Sequence, residues 1–189
     1  MFLKEEDIAC ALEALEKGGI ILYPTDSVWG IGADATNLTA VEKIYALKKR
    51  TDTKAMIVLV PEEKWILDYV SEPAPKVADY VKGITKPTTV IYDHAKNVAP
   101  NLIAPDGSIA IRICKANFAK ELMQAFGKPI VSTSANISGF PTPKCFSDIS
   151  LDIIEGVDYV VRSEQDDTTL KEPSAIVKWA QDQIIIIRP

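Results

Sequence analysis

Apolar, β-branched runs of only three to six residues recur along this chain between segments of helical periodicity, and that interleaving restricts its fold more than any other feature. The runs lie at 20–23, 55–60, 88–92, 108–113, 130–133, 159–161, 175–179 and 184–187. They read as strands, the last three following one another with little helix between them. Helical spacing marks 5–17 through Ile8, Ala11, Leu12 and Leu15, with Gly18-Gly19 as its stop, and the helix to residue 50 through Val41, Ile44, Tyr45 and Leu47. Thr39 and Glu42 are spaced as a capping box for that second helix. Further helices are expected at 61–70, 74–82, 117–126 and about 147–155. The expected fold class is α/β: a single domain over residues 1–189, with a twisted mixed parallel/antiparallel sheet flanked by helices.

An apolar fraction of 47% in 189 residues is enough for a real core. The longest apolar runs fall far short of the ~20 residues that a membrane span needs, and no charged-then-apolar leader opens the chain, so a cytoplasmic protein without membrane contact is expected. Three cysteines without C-x-x-C spacing read as reduced thiols. A net charge of −5 argues against an architectural nucleic-acid binder, although local basic clusters can still meet phosphates. His94, the only histidine, has no nucleophile motif or second metal ligand nearby and reads as a surface residue. No metal-binding motif is present.

Two polar segments follow apolar runs. The first, Y-P-T-D-S-V-W-G-I-G-A-D at 23–34, reads as a loop, and its Gly30 and Gly32 lack the third glycine and helix-opening turn of a dinucleotide site. The second, V-S-T-S-A-N-I-S-G-F-P-T-P at 131–143, holds three serines, two threonines and one asparagine, so hydroxyls and amides converge where an anion or nucleotide can be held. Lys48, Lys49, Arg50 and Lys54 crowd a helix-to-strand junction, a cluster suited to a polyphosphate. In S-I-A-I-R-I at 108–113, Ser108, Ala110 and Arg112 share one strand face. Arg112 there either pairs with a core carboxylate or clamps a carboxylate or phosphate ligand. With no Walker loop and no nucleophile elbow, the residues support an anion-binding α/β domain acting on a nucleotide, whose substrate brings its own nucleophile.

Y-P-T-D-S-V-W-G-I-G-A-D, K-K-R at 48–50, S-I-A-I-R at 108–112 and S-T-S-A-N-I-S-G-F-P-T-P at 132–143, in that order, resemble the YrdC-type threonylcarbamoyl-AMP synthases over about residues 7–189. The pairing of K-x-R with S-x-N is the most specific part. The resemblance implies synthesis of L-threonylcarbamoyladenylate and pyrophosphate from L-threonine, bicarbonate and ATP, with Mg2+ accompanying ATP. It also implies downstream proteins that pass the threonylcarbamoyl group to transfer RNA, and possible contact with RNA. By that resemblance Lys48, Arg50, Ser134 and Asn136 carry catalysis. Arg50, Lys54, Ser108, Asn136, Lys144 and Arg188 face ATP; Ser27, Arg112, Ser134 and Ser174 face threonine. The chain departs from the family pattern at Thr51, where a proline is usual, at Lys86-Pro87-Thr88-Thr89, and at Leu59, where some members carry histidine. It resembles the short, single-domain form. The alternatives are a YciO-like paralogue with a different or weak reaction and an RNA-binding module, which the net acidity opposes.

Overall fold

The computed structural model describes residues 2–49, 56–73, 75–180 and 183–189. In chain order they form α1 (Phe2–Glu16), β1 (Ile21–Tyr23), β2 (Gly30–Asp34), α2 (Leu38–Leu47), β3 (Ile57–Val60), α3 (Ile66–Tyr69), α4 (Pro75–Gly83), β4 (Thr88–Tyr92), β5 (Ile109–Ile113), α5 (Asn117–Phe126), β6 (Ile130–Ser134), α6 (Leu151–Gly156), β7 (Tyr159–Val160), β8 (Ala175–Ala180) and β9 (Gln183–Arg188). Each expected apolar run supplies one strand, because β-branched side chains fit a pleated, half-buried surface. Residue 55, the first of the expected 55–60 run, lies outside the described residues.

The nine strands make one sheet in the order β7-β1-β2-β6-β3-β5-β4-β8-β9. Pairs β1/β7, β3/β5 and β4/β8 are parallel and the others antiparallel, which is the mixed sheet expected. Alternation along the strands sends Ile31, Val58, Ile111 and Val131 into the core. Each such fully buried side chain is worth about 1.5–3 kcal/mol relative to exposure. On that side α1 packs on α5 and on β1 and β2, α2 packs on β2, and Ile66 and Val81 face Val90, Ile111 and Ile113. No helix among the described residues is long and apolar enough to cross a membrane.

Four local expectations are corrected. The 23–34 segment is not a loop throughout, since its last five residues form β2, fully buried between β1 and β6. A Cβ on Gly32 would stand 2.6 Å from Cε1 of Tyr23 and one on Gly30 would stand 2.7 Å from Oγ of Ser132, so glycines are what let this strand lie beneath the tyrosine ring. The cap of α2 is Asn37 rather than Thr39: Asn37 is extended and its Oδ1 accepts the Ala40 N–H at 3.2 Å. The segment 61–70 begins with Glu62 extended, so only a 3-10 turn and the short α3 form. The expected helix at 147–155 starts instead at Leu151, because Ile149 and Ser150 are extended after a turn whose Asp148 Oδ2 accepts the Lys144 N–H at 3.0 Å.

Candidate functional site

Across the face of the sheet opposite α1, a single cross-strand row joins Gly32, Ser132, Ile57, Ala110 and Ile91. Ser132 and Ala110 keep the surface low there, whereas Gly32 lies beneath the Tyr23 ring. Above it lies a cavity of about 390 Å3 whose walls include Ser27, Arg112, Ser134, Thr142, Ser174 and Arg188. Residues as far apart in sequence as Ser27 and Arg188 are thus brought to one place by the order of the strands and the loops that leave them.

The turn after β1 closes on itself. Thr25 Oγ1 donates to the Val28 carbonyl at 2.8 Å and accepts the Ser27 N–H at 3.1 Å, which buries Ser27 at the cavity wall. Arg112 enters from β5 and is only 5% exposed. Its Nη2 lies 3.2 Å from Asp26 Oδ1 and 3.4 Å from Thr25 Oγ1, whereas its Nε, also buried, has no partner among the described residues. Arg112 thus pairs with a carboxylate, the first of its two readings, and it also lines the cavity.

On the far wall, Arg188 of β9 donates from Nε and Nη2 to the Ser174 carbonyl at 2.9 and 2.7 Å. Burial, and then the nearby charge of Arg112, hold the Arg188 guanidinium below its ordinary range. Two guanidinium groups that feel one another across a cavity favour an anion between them. Ser174 Oγ is 2.9 Å from Thr89 Oγ1, a hydroxyl pair that fixes the segment leading into β8.

The exit of β6 forms the third wall. Ser134 Oγ donates to Asn136 Oδ1 at 2.6 Å, and Asn136 Nδ2 donates to the carbonyls of Ile137 and Phe140 at 3.0 and 2.8 Å. Lys48 reaches this turn from the end of α2 and gives Nζ hydrogen bonds to the carbonyls of Ser134 and Asn136, both at 2.6 Å. The S-x-N motif is a folded turn seated on a buried ammonium.

Of the residues singled out in the sequence, Ser27, Arg112, Ser134, Ser174 and Arg188 line the cavity, and Lys48 and Asn136 build its Ser134 wall. Ser108 is buried just before β5, its N–H bonded to Asp106 Oδ1 at 3.0 Å, and is not in the lining. Lys144 is exposed beside the site, with Nζ 2.8 Å from Glu172 Oε1. Arg50 and Lys54 lie outside the described residues. His94 is exposed, as expected. Sequence reasoning passed over Asp26, Thr25 and Ser132; the first two stand inside the Y-P-T-D segment, and Ser132 sits two residues before Ser134. Among the described residues no three His, Cys, Asp or Glu side chains gather as metal ligands.

Residues 13–189 match the model of the Sua5, YciO and YrdC family, described as "Telomere recombination". A threonylcarbamoyl-AMP synthase of Pseudoalteromonas translucida is 36% identical over 160 residues, 83% of this chain and 86% of the relative. P. abyssi Sua5, solved as a complex with L-threonine, has a TM-score of 0.85 at 20% identity over 98% of this chain. This chain spans 54% of that longer Sua5 chain. E. coli YciO gives a TM-score of 0.83 at 22% identity, over 98% of this chain and 89% of its own. At those identities the two structures establish the shared fold.

Proposed function

The chain belongs to the Sua5/YciO/YrdC family, and from that premise we propose that it makes L-threonylcarbamoyladenylate and pyrophosphate from L-threonine, bicarbonate and ATP. It is an enzyme of the nucleotidyl-transfer kind in this reading. Its product would be passed by downstream proteins to transfer RNA as the threonylcarbamoyl group. The observation that carries the reading is a buried arginine, Arg112, whose Nε has no partner among the described residues and which lines a cavity that a second arginine, Arg188, also lines.

The chemistry asks little covalent work of the protein. The threonine amine adds to CO2, released from bicarbonate, and loses a proton to become an N-carboxylate. An oxygen of that group then attacks the α-phosphorus of ATP, the bond to the bridging oxygen breaks, and pyrophosphate leaves. What the residues supply is position and charge. The planar fork of Arg112 suits the threonine carboxylate, with Ser27, Ser134 and Ser174 offering hydroxyls around it. Arg188, with Arg50, Lys54, Asn136 and Lys144, takes the nucleotide side, and Lys48 holds the Ser134–Asn136 turn between the two. Mg2+ enters as part of the substrate MgATP. The carboxylate next to Arg112, Asp26, is already held by that arginine and by the Lys115 N–H, so triphosphate oxygens and waters are the natural ligands of the ion.

The test is pyrophosphate release by folded protein given MgATP, bicarbonate and L-threonine. Release that depends on both threonine and bicarbonate is expected. ATP binding or turnover that ignores threonine would overturn the assignment and favour a different reaction on the same fold, as in a YciO-like paralogue.

A further inference from the structure

We propose that Asp26 is the positioning residue of the amino-acid clamp: it pins one nitrogen of Arg112 so that Nε is presented to the incoming carboxylate. The proposal rests on the reading of Arg112 as the group that grips threonine. An arginine carries five N–H donors in a planar fork, and a carboxylate is held best when two of them point at it in parallel. Asp26 Oδ1 and Thr25 Oγ1 both engage Nη2, while Nε is left without a partner among the described residues. The internal carboxylate thus takes Nη2 and leaves the buried Nε for a ligand.

Asp26 is itself held to the strand that carries Arg112. Its Oδ2 accepts the Lys115 N–H at 3.0 Å and its Oδ1 lies 3.5 Å from the Cys114 Sγ, and both residues directly follow β5. With side chains 12% and 5% exposed, the pair is largely shielded from water. Without Asp26, Arg112 would be a buried cation facing Arg188, and desolvation and repulsion together would drive its guanidinium out of the presenting geometry.

Asp26→Asn keeps the volume and removes the charge, and Asp26→Glu keeps the charge while displacing it by one methylene. In Asp26→Asn the KM for threonine is expected to rise about tenfold or more, the scale of a charge-assisted hydrogen bond. The KM for MgATP should stay within about threefold, and Asp26→Glu should recover part of the threonine affinity. A threonine KM that is unchanged or lowered in folded Asp26→Asn overturns the proposal, a lowered value marking Asp26 as a competitor for Arg112. If Asp26→Asn does not fold, Asp26→Glu decides: a raised threonine KM with unaltered MgATP KM supports positioning, and wild-type behaviour overturns it. The 15N relaxation of the Arg112 Nε–H, assigned through Arg112→Lys, reads the geometry without turnover. It should report a rigid group in wild type and a mobile one in Asp26→Asn, and equal rigidity overturns the proposal. Should wild type lack threonine-dependent pyrophosphate release, the synthase reading falls while this relaxation contrast still decides the role of Asp26.

Discussion

Lys48 donates from Nζ to the carbonyl oxygen of Asn136 at 2.6 Å, across 88 positions of sequence, with the lysine only 3% exposed. A buried ammonium is tolerable when carbonyl oxygens replace its water, and here Ser134 and Asn136 supply two. Lys48 of the K-x-R motif and the S-x-N turn are therefore one structural object. The helix end joins the turn's own side-chain hydrogen bonds in fixing the serine and asparagine.

Lys48→Met retains the stem and strips the ammonium, leaving those two carbonyls without this donor. Stability should fall by about 2–3 kcal/mol, the scale of unsatisfied buried groups, as measured by urea unfolding. Pyrophosphate release should fall by more than about tenfold. A variant with wild-type stability and activity would show that the turn stands without Lys48.

Arg112→Ala removes the proposed clamp while leaving Arg188 and the β6 turn in place. The threonine concentration needed for half-maximal rate should rise far more than that for MgATP. Equal effects on both substrates would take Arg112 off the threonine side.

Gly32→Ala brings a Cβ to 2.6 Å from the Tyr23 ring and 2.9 Å from Ile130 Cγ2 in the fully buried part of the sheet. Overpacking of this kind costs roughly 1–3 kcal/mol. Gly83→Ala, where a Cβ meets nothing within 4 Å, is the control and should leave the thermal midpoint nearly unmoved. Similar midpoints for both variants would mean that β2 shifts freely under Tyr23.

Asp7 is fully buried. Burial alone would raise its pKa, but donors from the Ser163 and Tyr159 side chains and from the N–H groups of Arg162 and Ser163 outweigh it and hold the carboxyl below its usual value. A folded-state pKa below the unfolded one contributes stability that is present above the unfolded value, near 3.8, and is lost as pH falls through the folded value. Asp7→Asn should destabilise by about 2–3 kcal/mol at neutral pH, since an amide nitrogen then faces donors. The gap from wild type should narrow below about pH 4. A gap constant with pH in denaturation curves would remove the charge of Asp7 from the account.

The strand runs are legible in sequence because each needs only β-branched side chains and a period of two. β2 is not, for Gly-Ile-Gly-Ala-Asp has a single β-branched residue, and its glycines answer to a tyrosine ring on the neighbouring strand. The cavity-lining Ser27, Arg112, Ser134, Ser174 and Arg188 are legible as a set only through the family resemblance, while Arg112 alone could be placed on its face by alternation. Asp26 stays hidden because an aspartate in a Pro-Thr-Asp-Ser turn looks like any turn former. Its meaning comes from β5, which strand order sets in reach. The burial of Lys48 is likewise invisible in a Lys-Lys-Arg run at a helix end, where solvated cations are the common outcome.

Arg112 stands on a central strand with neighbours on both sides, whereas Arg188 stands on β9, bonded to β8 alone at the sheet's rim. An anion gripped by both would fasten the fringe of the sheet to its middle. Amide exchange along β9, where Ile185, Ile186 and Ile187 are 49%, 66% and 55% exposed, would then slow on occupancy, making the outermost strand a gauge of the cavity's filling.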